Sequence, residues 1–204
     1  MATYTSPQDG TTADTRIAEN AATTNYSTGT VIYVGESNAA AALSRSLLQF
    51  PGLTNGTVPS DATITSVSLF LKISGENSSN ARTFRVYRSK RDVNISQCTW
   101  NIWKTGSNWA TAGGFNADDC EQTDIGTCEF GASDTGWKEF PLTPSAIQAI
   151  VNGSWSTPTL FIKCDTESSD QYIFVSSEGE TGTDRPYIVV NYTASAGGSP
   201  IFFD

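Results

Sequence analysis

The chain has no histidine. That absence removes Ser-His-Asp and Cys-His catalysis, His-ligated zinc or iron, and the usual general base near neutral pH. It also has no nucleophile elbow, Walker A loop or GxGxxG segment. No apolar run approaches the ~18 residues that cross a bilayer as a helix, so membrane insertion is not expected. The opening "MATYTSPQDG" lacks a basic region and an apolar segment, and no secretory signal is expected in the chain as given. The four cysteines, Cys98, Cys120, Cys128 and Cys164, form no CxxC pair, which leaves four-cysteine zinc only weakly signalled. Cys120 and Cys128 bracket a short loop that a disulfide can close in an oxidising compartment. Charge is scarce and one-sided. Charged residues make up 16% of the chain, 21 acidic against 12 basic, for a net −9. Such a chain repels phosphate backbones, and nucleic acid is not an expected partner.

What is present is a patterned, Ser/Thr/Asn/Gly-rich sequence of 204 residues with 38% hydrophobic content. That mixture favours strands joined by turns over helices. In "TITSVSLFLKIS", Val67, Leu69, Leu71 and Ile73 alternate with Ser68, Phe70 and Lys72, the period of a half-buried strand. Further strands are predicted at 30–34, 44–50, 83–88, 136–142, 159–164, 171–177 and 186–193. Turn signals such as "PGLTNG", "SGENSSN" and "GETGTD" separate them. The pattern reads as an all-β sandwich or barrel.

One short helix is predicted at about 144–152. Thr143 stands at its N-cap, Pro144 at its first position, Ile147, Ile150 and Val151 form one apolar face, and Gly153 closes it. No repeat or linker interrupts 14–193, so one domain is expected. Residues 1–13 form an N-terminal arm, and 194–204 a flexible tail ending in Ile201, Phe202 and Phe203. Those apolar residues are expected to dock, on their own domain or on a neighbouring subunit.

Three groups of residues carry candidate chemistry. Thr99 to Gly114, "TWNIWKTGSNWATAGG", holds three of the five tryptophans. Trp103 and Trp109, with Tyr87, are candidates for stacking on a ligand, although indoles in long loops more often anchor the loop. Arg82, Arg85, Arg88, Lys90 and Arg91 form a basic cluster. It is either a docking patch for an acidic partner or, the favoured reading, a strand pairing with the chain's own carboxylates. Asp118, Asp119, Asp165 and Asp170 are candidate ligands for a structural calcium, which loop carboxylates of sandwich domains can bind without a linear motif. No other cofactor is indicated. Six N-x-[ST] sequons, at Asn25, Asn55, Asn77, Asn94, Asn152 and Asn191, are read as composition.

Several blocks, in order, resemble DNRLRE-type (disaggregatase-related) domains. "DTRIAENAATTNYSTGTVIYVGE" is similar to the family's opening through Asp14, Asn25, Tyr26, Val34 and Gly35, with Ser27 where glycine is usual. "SRSLLQFPGLTNGTVPSDATITSVSLFLKI" resembles the next block, with Gln49 in place of arginine and Pro51 in place of aspartate. "TWNIWKTGSNWATAGG", "GWKEFPLTPSAIQAIVNGS" and "FVSSEGETGTDRPYIVVNYT" complete the likeness over roughly 14–193. The resemblance implies a jelly-roll β-sandwich like those of carbohydrate-binding modules. It also implies a non-catalytic accessory role, with some relatives binding acidic polysaccharides. An ion pair of Glu178 with Arg185, near Asp14, is a further expectation.

Two functions follow. A stand-alone sandwich with an apolar tail and no export signal suits a virion component, such as a phage head-decoration or tail accessory protein. It would be docked on virion or other protein subunits through Arg82, Arg85, Arg88 or the tail, and exposed on the virion surface. The alternative is an extracellular carbohydrate-binding module or adhesin domain that binds polysaccharide.

Overall fold

Thirteen strands and one α-helix form within residues 1–7, 11–37, 41–77, 80–131, 133–168 and 170–195, which this computed structural model describes. In chain order the strands are β1 (Ala2–Thr5), β2 (Ala13–Ala18), β3 (Val31–Ser37), β4 (Ala42–Gln49), β5 (Thr63–Asn77), β6 (Arg82–Arg88) and β7 (Ile102–Lys104). After them come β8 (Ser107–Asn108), β9 (Gly126–Phe130), β10 (Gly136–Leu142), β11 (Thr159–Cys164), β12 (Gln171–Val175) and β13 (Tyr187–Thr193). The helix α1 spans Pro144–Val151. The all-β class with one short helix agrees with the sequence.

The alternation in β5 has the expected effect: Val67, Leu69, Leu71 and Ile73 are buried on one face. Phe70, on the other face, lies opposite Glu139 of β10 and Tyr187 of β13. Beyond β13, the far end of β5 pairs with β12, with a register shift at Ile173/Phe174. Hydrogen-bonded neighbours run β5–β10–β9–β6–β11–β4–β3–β12 and return to β5, so eight strands close on themselves. Closure leaves those strands without the open edges that invite aggregation. β13 and β1 extend outward from β5, and β2 pairs with β4. Residues 2–5, expected within a polar arm, instead form a strand along β13, from Ala2 opposite Tyr192 to Thr5 opposite Val189.

The helix seals the main core with Ala146, Ile147, Ile150 and Val151. Thr143 occupies the N-cap position but its side chain makes no cap bond; Pro144, which has no N–H to satisfy, opens the first turn instead. Gly153, at φ +76°, takes the left-handed conformation that ends the helix.

Two hydrophobic clusters result. Inside the ring, Phe84 and Phe130 stack at 4.3 Å, and Tyr172 meets both edge-on. The second cluster gathers Ile17, Leu47, Tyr87, Val93, Ile95, Cys98, Trp100, Trp109, Cys120 and Phe161. Strand β11 lies between them and is buried at all six positions, with Leu160 and Ile162 in the first cluster and Phe161 in the second. That is why it reads as a continuous apolar run rather than an alternating one.

The disulfide that Cys120 and Cys128 could close is not formed, and all four cysteines are free. Cys120 lies in the second cluster, bridged through its backbone to Ser89, whereas Cys128 sits on β9 opposite Phe84. Burial pushes the Cys98 thiol well up, Cys120 up to about 12 and Cys164 up to about 11.

Candidate functional site

The tryptophan-rich excursion folds inward. Trp100 and Trp109 are 6% and 5% exposed, and the Trp109 indole N–H donates to the Thr99 carbonyl at 2.9 Å. Gly113 must be glycine: at φ +87°, a Cβ there would stand 2.7 Å from both the Trp100 ring and Arg45 Nη1. Arg45 holds the same corner. Its fork binds both oxygens of Glu167 at 2.7 Å, while Nη1 donates to the Gly113 carbonyl at 2.7 Å. Tyr87 is buried, edge-on to Phe115 at 4.8 Å. Trp109 and Tyr87 are thus largely covered, Trp109 lining a cleft of about 480 Å³ with Thr23, Asn101, Ile102 and Ala112. The loop had no core beneath it except the one its own indoles complete. Trp103 is half-buried on the same cluster, with the Lys104 ammonium 4.4 Å from its ring centroid.

Of the five tryptophans, Trp137 alone is exposed, at 38%. It projects from β10 opposite Lys72 of β5. Its indole meets Tyr187 at 5.0 Å and 73°, and Tyr187 stacks on Phe70 at 4.6 Å and 7°. The three rings thus form one aromatic surface on the outer face of β10–β5–β13, three paired strands that hold it rigidly. Polar groups frame it: Ser68 Oγ donates to Glu139 at 2.6 Å, and Lys72 pairs with Asp184 at 2.7 Å. Burial, with the Glu139 charge, raises the Tyr187 hydroxyl, so this tyrosine stays neutral over the physiological range.

A cleft of about 650 Å³ lies elsewhere, its wall including Thr12, Asp14, Asp92, Lys104, Ser177 and Glu178. Asp14, on β2, is only 2% exposed and accepts the Ser177 N–H at 2.6 Å. Burial pushes its carboxyl up to about 7; Ser177 pulls it down, and the Glu178 charge adds to the rise. Asn25 fixes one wall by donating to the Ile95 and Cys98 carbonyls at 2.8 and 2.6 Å.

The model of the disaggregatase related repeat domain matches residues 14–190. The chain belongs to that family. A search of curated proteins found no match. The matched span begins at Asp14, the buried carboxyl of the cleft, and takes in both Trp100 and the Trp137 surface. The expected Glu178–Arg185 pair is not among the ion pairs of the described residues of this disaggregatase-related domain. Arg185 Nε donates to the Gly179 carbonyl at 2.9 Å, and the Glu178 N–H donates to Ser176 Oγ at 3.0 Å.

The basic cluster pairs with the chain's own groups. Arg82 pairs with buried Asp170, Arg85 with Asp124 at 2.7 Å, Arg88 with Glu121 at 2.9 Å and Arg91 with Asp119 at 2.8 Å. Lys90 donates to the Ala117 carbonyl at 2.7 Å. The calcium candidates are not brought together either. Asp119 and Asp170 are buried in those ion pairs, while Asp118 and Asp165 are exposed. No three His, Cys, Asp or Glu side chains converge on a metal-sized site among the described residues. Ile201, Phe202 and Phe203 lie outside the described residues.

The aromatic surface and the Asp14 cleft were not singled out from sequence. A signal for the first existed: the alternation of β5 puts Phe70 on the face of Ser68 and Lys72, opposite the leucines. A large aromatic at an outward position, with Trp137 in the neighbouring "GWKEF", is what marks it. The cleft had no such signal, because its walls come from six separated stretches of chain.

Proposed function

We propose that this domain is a non-catalytic polysaccharide-binding module, a closed variant of the jelly-roll sandwich, working at a cell surface or outside the cell. The observation that carries the reading is the exposed Trp137 on its support of Tyr187 and Phe70. A pyranose ring has an apolar C–H face and a rim of hydroxyls. An exposed indole takes the first, and flanking carboxylate, hydroxyl and ammonium groups take the second. Rigid strands hold the rings in place beforehand, which lowers the ordering cost of binding. The absence of histidine and family membership both support a non-catalytic role. The virion reading draws no support from Arg82, Arg85 and Arg88, whose guanidinium groups are held by the chain's own carboxylates.

Affinity electrophoresis through gels containing a panel of neutral and acidic polysaccharides tests the proposal. Retardation by at least one polymer, without release of reducing ends, is expected. Uniform mobility across the panel contradicts it.

A further inference from the structure

The Asp14 cleft shares no lining residue with the Trp137 surface. Its volume falls within the ~300–1,000 Å³ of small-molecule sites, and its charge is unbalanced. Asp14, Asp92 and Glu178 line it with Lys104, whose ammonium lies 3.9 Å from the Asp92 carboxylate, so Asp14 and Glu178 are the acids left without a cation in the cleft. Thr12 also lines the cleft; it is 3% exposed, and its hydroxyl has no hydrogen-bond partner among the described residues.

We propose that this cleft is a second saccharide site, selective for a sugar that carries a free amino group. A buried carboxyl that no cation pairs and an unpartnered hydroxyl are both costly, and native interiors rarely keep either. A protonated amine placed against Asp14 draws it into its ionised form and supplies charge-assisted hydrogen bonds. A ring hydroxyl beside it partners Thr12. Glu178 adds attraction for the cation and repels a carboxylated sugar. The site is also held in shape before binding: Ser177 orients Asp14 from β12's exit, and Asn25 secures the Ile95 carbonyl on the opposite wall. N-acetylation of the amine abolishes its charge and adds bulk, so an acetylated sugar loses the main interaction.

Nitrogen-15 NMR titration of the full chain with a glucosamine trimer tests this, alongside the N-acetylglucosamine trimer and a glucuronate oligomer. Saturable shifts at the amides of Thr12, Asp14, Ser177 and Glu178 are expected with the first. At least tenfold weaker binding is expected for the other two. Asp14→Asn keeps an acceptor for the Ser177 N–H and is expected to fold, while weakening the glucosamine trimer at least tenfold. Glu178→Gln, at an exposed side chain, weakens it severalfold. Trp137→Ala leaves these shifts intact, whatever it does to polysaccharide binding. The proposal is overturned by absent or non-saturable shifts in the parent chain, or by equal affinity for the acetylated or acidic probe. Unchanged binding in both carboxylate variants, or loss of the cleft shifts in Trp137→Ala, overturns it as well.

Discussion

Asp119 has no solvent exposure, and Arg91 Nε lies 2.8 Å from its carboxylate. The same carboxylate accepts the Ala110 and Thr111 N–H groups at 3.0 and 3.1 Å, joining the end of the tryptophan loop to the segment after β6. Asp119→Ala leaves two backbone donors and a guanidinium without their partner, a loss of about 3–5 kcal/mol by comparison with other broken buried pairs. Urea unfolding at constant m-value checks this. A change below about 1 kcal/mol would mean that water replaces the carboxylate without cost.

The Asp14 carboxyl makes stability fall as pH rises. Its folded value, about 7, lies above the unfolded value of 3.8, so the native state holds the extra proton between them. The contribution is therefore greatest below about pH 4, declines through the interval up to about pH 7 and is flat above it. The slope from this one group is at most about 1.4 kcal/mol per pH unit. Asp14→Asn removes that slope and, relative to low pH, gains on the parent by about 4 kcal/mol at pH 8. Denaturation midpoints at pH 4.5, 6 and 8 in both proteins decide it; parallel profiles would refute the role given to Asp14.

The thiols offer an independent check on the core. Cys98, Cys120 and Cys164 are buried and their thiols raised, so they resist alkylation at neutral pH. Cys128 is half-buried and reacts first in native protein, and all four react in denaturant. Mass spectrometry after limited iodoacetamide treatment reads the order. Early labelling of Cys98 or Cys120 would show that the second cluster opens readily.

The fold was legible where periodicity was clean. Strand β5, the apolar run of β11 and helix α1 with its Gly153 stop all stand close to their predicted places. β9 was missed because "GTCEF" carries glycine and glutamate, and its place is set by pairing with β6 and β10. β1 was missed because a polar strand of four residues, mostly exposed, announces nothing without β13 beside it. The sequons had a physical meaning that composition hid. At Asn25, Asn55, Asn94 and Asn152 the side-chain oxygen accepts both the N–H and the hydroxyl of the residue two positions on. These are Asx-turns, local devices that let a Ser/Thr/Asn-rich chain reverse direction. The site was harder to read. Tryptophan drew attention to one loop, where three indoles close in sequence serve a core that the long excursion itself covers.

The direct measurement of the central claim compares two tryptophans. Trp109→Ala empties part of the second cluster and is expected to cost about 3–5 kcal/mol of stability. Trp137→Ala touches no core residue of either cluster and is expected to hold its melting temperature close to the parent's. Isothermal titration with whichever polysaccharide retards the parent chain in gels then reads binding in Trp137→Ala. A loss of at least tenfold in affinity with an unchanged melting temperature is the predicted result. Parent-like affinity in Trp137→Ala would contradict the assignment of this surface to polysaccharide.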